Sequence, residues 1–152
     1  MKTLAREECR AEIQRRIRTV RPESAARWGR MSAHQMICHL SDGCRMALGE
    51  KAVSAAPTLF ERTVLKGVVL YAPVRWPSGI PTSPEIDQLC GGTPPASFAA
   101  DVAELHTLLE GLTRRDEGSA WARHPVFGRM SRAAWLRWSY LHADHHLRQF
   151  GT

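Results

Sequence analysis

"SRAAWLRWSYLHADHHLRQFG", residues 131–151, holds three of the chain's seven histidines within five positions. Its periodicity predicts a helix from Ser131 to Phe150, stopped by Gly151. Laid out at about 100° per residue with His142 at zero, His146 falls about 40° away, Trp135 near ~20°, Trp138 near ~320°, Gln149 near ~340° and Phe150 near ~80°. These residues make one inner face. The opposite side, at about 200–240°, carries Arg137, Asp144 and Arg148 and reads as the solvent side, with Asp144 and Arg148 spaced for an i, i+4 ion pair. His145, at about 300°, sits on the shoulder and reads as a half-exposed bystander beside the mouth of any site. His142 and His146 therefore stack one turn apart among aromatic residues.

Imidazoles at i and i+4 converge beside the helix axis, which is the spacing that metal chelation by one helix requires. The Glu of H-E-x-x-H is absent, which argues against a zinc-protease helix. Two ligands rarely suffice, so a third is sought on the inner face of another helix. The stretch "MICHLSDG", residues 36–43, offers it. Here Met36, Leu40, Gly43, Cys44 and Ala47 form the apolar stripe, and His39 borders it beside Gly43 and Met46. Cys38 has suitable chemistry but points well away from that stripe, so it is set aside as a ligand.

This second helix opens at "SAHQ", where Ser32 and Gln35 have capping-box spacing, and it runs to about Glu50, with Gly49 as its stop. Two more segments carry helical periodicity. Residues 3–20 place Cys9, Ile13, Ile17 and Val20 on one stripe, and residues 97–113 repeat Phe98, Val102, Leu105, Leu109 and Leu112. No stretch alternates as a strand between hairpin turns. Between the second and third long helices, "LFERTVLKGVVLYA" (59–72) predicts an extra helix or turn. The proline-rich "PVRWPSGIPTSPEIDQLCGGTPP" (73–95) predicts irregular chain. A connection this long permits a crossover between parallel helices. The expected architecture is a single all-α domain over 1–152, a four-helix bundle whose second and third helices run the same way.

Composition narrows the function. At 152 residues, with 43% hydrophobic and 24% charged residues, the chain reads as one globular domain. The N-terminus "MKTLAREECRAEIQRRIR" has no apolar run, so no secretory signal is expected, nor any membrane span. The expected location is cytoplasmic. There the four cysteines (Cys9, Cys38, Cys44, Cys90), without a C-x-x-C pair, are expected as thiols. The net charge of +6 invites a nucleic-acid partner. Against it, the arginines are scattered from Arg6 to Arg148 and no recognition motif accompanies them. A homodimer is compatible with the sequence, although no stretch marks one.

"RWGRMSAHQMICHLSDGCRMAL" (27–48), together with "HPVFGRMSRAAWLRWSYLHADHHLRQFG" (124–151), resembles the DinB/YfiT-like superfamily of metal-binding four-helix bundles. It looks closest to a branch of unknown function. The H-x-x-D of His39–Asp42 and the H-x-x-x-H-x-x-Q of His142, His146 and Gln149 carry the resemblance, and "GIPTSPEI" (79–86) adds to it. The chain reads H-L-R-Q over 146–149, where the commoner superfamily ending is H-R-G-Q. The resemblance implies an up-down-down-up bundle and a divalent metal, zinc or nickel, held by His39, His142 and His146. It further implies a small-molecule substrate and an enzyme that transfers a low-molecular-weight thiol, or hydrolyses a substrate at the same centre. Asp42 is then expected to orient His39 or to act as a catalytic base. Gln149 reads either as a partner of a ligand or as a buried amide, His124 as part of an ordered loop, and Trp135 and Trp138 as core.

Overall fold

The computed structural model describes residues 1–54, 58–73 and 75–152, so Val74 of the proline-rich stretch lies outside the described residues. Those residues form helices and no strand; a single isolated bridge joins His124 to Gly128. Four long helices are present: α1 (Glu7–Thr19), α2 (Ala33–Leu48), α4 (Phe98–Arg114) and α5 (Arg132–Gln149). Between α2 and α4 lie a π-helical turn (Glu61–Leu65), the short α3 (Lys66–Tyr71) and a 3-10 turn (Pro84–Ile86). The extra helix expected over 59–72 is thus formed, and most of the proline-rich chain is irregular.

Local chemistry sets the helix ends. Ser32 Oγ accepts the Gln35 amide and the Gln35 side chain accepts the Ser32 amide, so both halves of the capping box are made. Gly49 ends α2 at φ 82°, and its N–H reaches back to the carbonyls of Arg45 and Met46. Ser131 caps α5 by accepting from the Ala134 amide. The first helix begins at Glu7, later than its periodicity suggests. Residues 3–6 are instead drawn onto α5, where the Leu4 amide donates to the Leu136 carbonyl at 3.2 Å.

The apolar stripes of the four long helices meet in one core. Cys9, Ile13, Ile17 and Val20 are buried, as are Met36, Leu40, Cys44 and Ala47 of α2 and Leu105, Leu109 and Leu112 of α4. Phe98 and Val102 pack against it partly exposed. The helix α2 packs on both α4 and α5, and α1 and α3 also pack on α5. As a result α5 is covered on more sides than a helical layout of its own residues suggests. Its expected solvent side is partly occupied: Arg137 donates to the Leu70 carbonyl at 2.9 Å, and Arg16 of α1 meets Asp144 at 2.7 Å. The Asp144–Arg148 pair forms at 3.0 Å beside it. No helix of the described residues is long and apolar enough to cross a membrane, and all four cysteines are free thiols.

The crossover is tied down by one carboxylate. Asp42 of α2 has no exposed surface. It accepts from the Thr93 amide (2.8 Å), the Thr93 hydroxyl (2.6 Å) and Gln88 Nε2 (3.2 Å). Arg45 and Lys51 pair with it at 3.0 and 3.2 Å. Burial alone would push its pKa up, but the Thr93 hydrogen bonds and the Lys51 ammonium outweigh burial and hold it below the usual carboxylate value. Replacing Asp42 by Ala would leave this donor set unsatisfied and is expected to cost roughly 3 kcal/mol in unfolding free energy, measured by chemical denaturation.

The loop before α5 is held by His124, whose Nδ1 accepts the Val126 and Phe127 amides at 3.1 and 3.2 Å. Its ring stacks on Phe127 and abuts Trp138. Burial, with Lys66 nearby, pushes its pKa from 6.5 down to about 3. The unfolded chain therefore takes up a proton that the folded chain refuses. Stability is full above about pH 6.5 and falls as pH drops, by up to ~1.4 kcal/mol per unit for this group. Denaturation of metal-free protein stepwise from about pH 7 to about pH 4 is expected to show this loss on top of that from the other buried imidazoles, and His124→Asn to lessen the slope by the share of one group.

Candidate metal centre

Three imidazoles converge where α2 meets α5. His39 comes from α2, and His142 and His146 from successive turns of α5. Their ring centroids form a near-equilateral triangle with sides of 4.9, 4.7 and 4.8 Å. One nitrogen from each lies within 4.8 Å of the others, and His39 Nε2 faces His142 Nε2 at 3.0 Å. Nitrogens on a tetrahedral zinc with bonds of ~2.1 Å stand about 3.4 Å apart, close to this spacing.

The outer nitrogens of two of these rings are pinned. His39 Nδ1 lies 2.8 Å from the Ile86 carbonyl oxygen, which can only accept, so Nδ1 carries the proton and Nε2 offers a lone pair inward. His146 Nδ1 lies 2.8 Å from Gln149 Oε1. The Gln149 amide is itself oriented, since its Nε2 donates to the Trp28 carbonyl at 2.6 Å. His146 is thereby held in the same tautomer. These are the partners that fix ring orientation around a bound metal. Burial is the chief cause that lowers the pKa of all three rings, well below 6.5 for His142 and His146, so the cluster is neutral near pH 7. Neutral imidazoles are the ligand form.

The approach of α5 to α2 depends on Gly43. A Cβ there would stand 3.0 Å from His142 Cε1 and 3.1 Å from Nδ1. That ring also stacks on Trp138, with centroids 4.5 Å apart, and the added Cβ would itself stand 3.5 Å from Trp138, so the crowded pair leaves His142 little room to shift. Gly43→Ala is expected to weaken zinc binding by about tenfold or more while changing the melting temperature of metal-free protein little, because Ala favours the helix by up to ~1 kcal/mol. Zinc titration by calorimetry and a thermal melt separate the two effects.

The structure thus brings together His39, His142 and His146, the three residues singled out from the sequence. It does not join Asp42 to them. The expectation that Asp42 orients His39 is corrected: the Ile86 carbonyl occupies that nitrogen, and Asp42 is engaged with Thr93, Gln88, Arg45 and Lys51. His145 is corrected too. It is buried, 7% exposed, between Trp28 and Trp76, whose ring centroids lie 5.7 and 6.1 Å away. A layout of one helix cannot see these two tryptophans, because both arrive from connecting chain. Cys38 faces away from the three imidazoles, as expected, and meets Asp101. Sequence reasoning missed the roles of Ile86 and Trp76. The only signal for Ile86 was its place in "GIPTSPEI".

Residues 3–152 match the family described as "Protein of unknown function (DUF1569)". The chain belongs to the DUF1569 family. No curated protein and no solved structure matched it. The DUF1569 match spans α1 through α5 and so includes all three imidazoles and both of their outer partners.

Proposed function

We propose that this chain is a divalent-metal enzyme of DinB/YfiT-like type, an up-down-down-up four-helix bundle with zinc or nickel on His39, His142 and His146. The observation that carries this reading is the pinning of two imidazoles from outside, by Ile86 and Gln149, which leaves their Nε2 atoms unprotonated. In that cluster His39 Nε2 faces His142 Nε2, and one nitrogen of each ring lies within 4.8 Å of the others. A divalent metal held by these three imidazoles would supply Lewis-acid activation of a bound water or thiol, bringing its pKa toward the neutral range.

The surrounding residues have definite parts in this reading. Ile86 and Gln149 hold the inner nitrogens free of protons. Trp138 and Trp76 wall His142, with centroids at 4.5 and 6.4 Å, and keep bulk water from its ring. His145, 5.0 Å from His146 and with no partner on Nδ1 among the described residues, is enclosed by Trp28 and Trp76 and flanks the cluster without opening to solvent. Asp42 serves by anchoring the chain that carries Ile86 and not as the base. The reaction class that fits is transfer of a low-molecular-weight thiol to an electrophile, with hydrolysis at the same centre as its variant.

One observation favours a second reading, a non-catalytic metal that stabilises the α2–α5 contact. The cavity touching His142 measures about 10 Å³, room for one water. Elemental analysis of protein purified without a histidine tag is expected to give zinc or nickel near one per chain or above, and a His142→Ala/His146→Ala variant to lose one equivalent. Absence of metal from both would overturn the proposal. A screen of thiols against electrophiles separates the readings: turnover abolished by chelation supports the enzyme. A chelator-sensitive melting temperature without turnover supports the structural metal.

A further inference from the structure

Behind the three imidazoles, on a different face of α2, lies a second cluster. His34 and Cys38 stand at i and i+4, so their side chains leave the helix together toward α4. Asp101, in the first turn of α4, meets both. His34 Nε2 lies 2.6 Å from Asp101 Oδ2, and Cys38 Sγ lies 3.8 Å from the same oxygen. The Ala96 amide donates to that oxygen at 3.0 Å and fixes the carboxylate. Phe98 packs edge-on against His34, with centroids 5.3 Å apart. One donor atom from each of the three residues lies within 4.8 Å of the others. The sulfur is buried, whereas the His34 and Asp101 side chains are 22% and 16% exposed, so the cluster opens to solvent on one side.

Imidazole, thiolate and carboxylate from three residues make a borderline-soft set of the kind zinc accepts, with water as the fourth ligand. Two ligands from one helix and a third from a neighbour is the same plan as the three-histidine cluster. Successive residues of a helix point about 100° apart, so Cys38 and His39 serve different clusters although they are adjacent in sequence.

We propose that His34, Cys38 and Asp101 form a second zinc site, independent of the three imidazoles, that clamps the start of α4 to α2. Binding forms the sulfur–metal bond and releases the Cys38 thiol proton to solvent. The site has a direct structural effect: α4 begins just after the long crossover ends, and the metal would tie that junction to the first turns of α2. The alternative is a plain hydrogen-bonded junction in which Asp101 accepts from three neighbours and no metal enters.

Cobalt(II) distinguishes these, because only a thiolate ligand gives a sulfur-to-cobalt charge-transfer band. The full chain is titrated with cobalt(II) under reducing conditions, carrying Cys90→Ser to remove its exposed thiol. The expected result is binding of two equivalents, with the sulfur band saturating at one. Cys38→Ser abolishes the band; His34→Ala and Asp101→Asn each weaken the affinity that it reports by about tenfold or more. His142→Ala/His146→Ala loses the other equivalent and keeps the band, so failure of the three-histidine site and failure of this one are read separately. No sulfur band in the starting protein, or a band that survives Cys38→Ser, overturns the proposal. The first outcome is read before any ligand substitution and does not depend on how the variants fold.

Discussion

A buried carboxylate in α2 organises the half of the molecule that periodicity alone leaves open. Asp42 has no solvent contact and gathers donors from Thr93, Gln88, Arg45 and Lys51. An unpaired charge at this depth would be prohibitive, so the crossover must return to α2 to supply its partners. Its return seats the Pro84–Ile86 turn on α2 and brings the Ile86 carbonyl within 2.8 Å of His39. The tautomer of His39, and so the direction of its lone pair, depends on a salt-bridged anchor one turn further along the same helix. That gives the H-x-x-D spacing a physical meaning: the histidine faces the cluster, and the aspartate fixes the chain that orients it.

The helix α5 has the complementary part. It meets α1, α2 and α3, so it is buried over most of its circumference. A helix so placed can carry polar groups inward only if each is satisfied or has a ligand to meet. His146 and Gln149 satisfy one another and Trp28. Tyr140 reaches Glu12. His142 has only His39, and two neutral imidazoles facing each other through Nε2 at 3.0 Å share one proton at best. Ser139 Oγ and His145 Nδ1 of the same helix have no partner among the described residues, so α5 carries more inward polar groups than its protein neighbours satisfy.

Much of this was legible in the sequence. The helices are local facts, readable from stripes such as Cys9–Ile13–Ile17 and from caps such as Ser32 and Gly49. The three imidazoles were legible as well, since i, i+4 spacing on one helix and an apolar stripe on the other place them without long-range knowledge. What escaped was everything supplied by irregular chain. His145 looked half-exposed because Trp28 and Trp76, which cover it, belong to connections with no periodicity. Asp42 looked like a helper of His39 because Thr93 and Gln88, two of the groups that engage it, lie about 50 residues away in the proline-rich segment. Carbonyl groups such as that of Ile86 have no sequence signature at all.

Cys38 shows how far spacing can be pushed. Judged only against His39, it points the wrong way and drops out as a ligand. Judged against its own face, it stands one turn from His34, and the pair needs only an acidic residue from α4 to become a chelating set. Asp101 is that residue. Adjacent positions of one helix therefore serve two environments of different chemistry: a neutral, buried ring of nitrogens toward α5, and a mixed sulfur, nitrogen and oxygen set near the surface toward α4. Because the two clusters leave α2 on different faces, about 100° apart at Cys38 and His39, each is filled or emptied without rearranging the other.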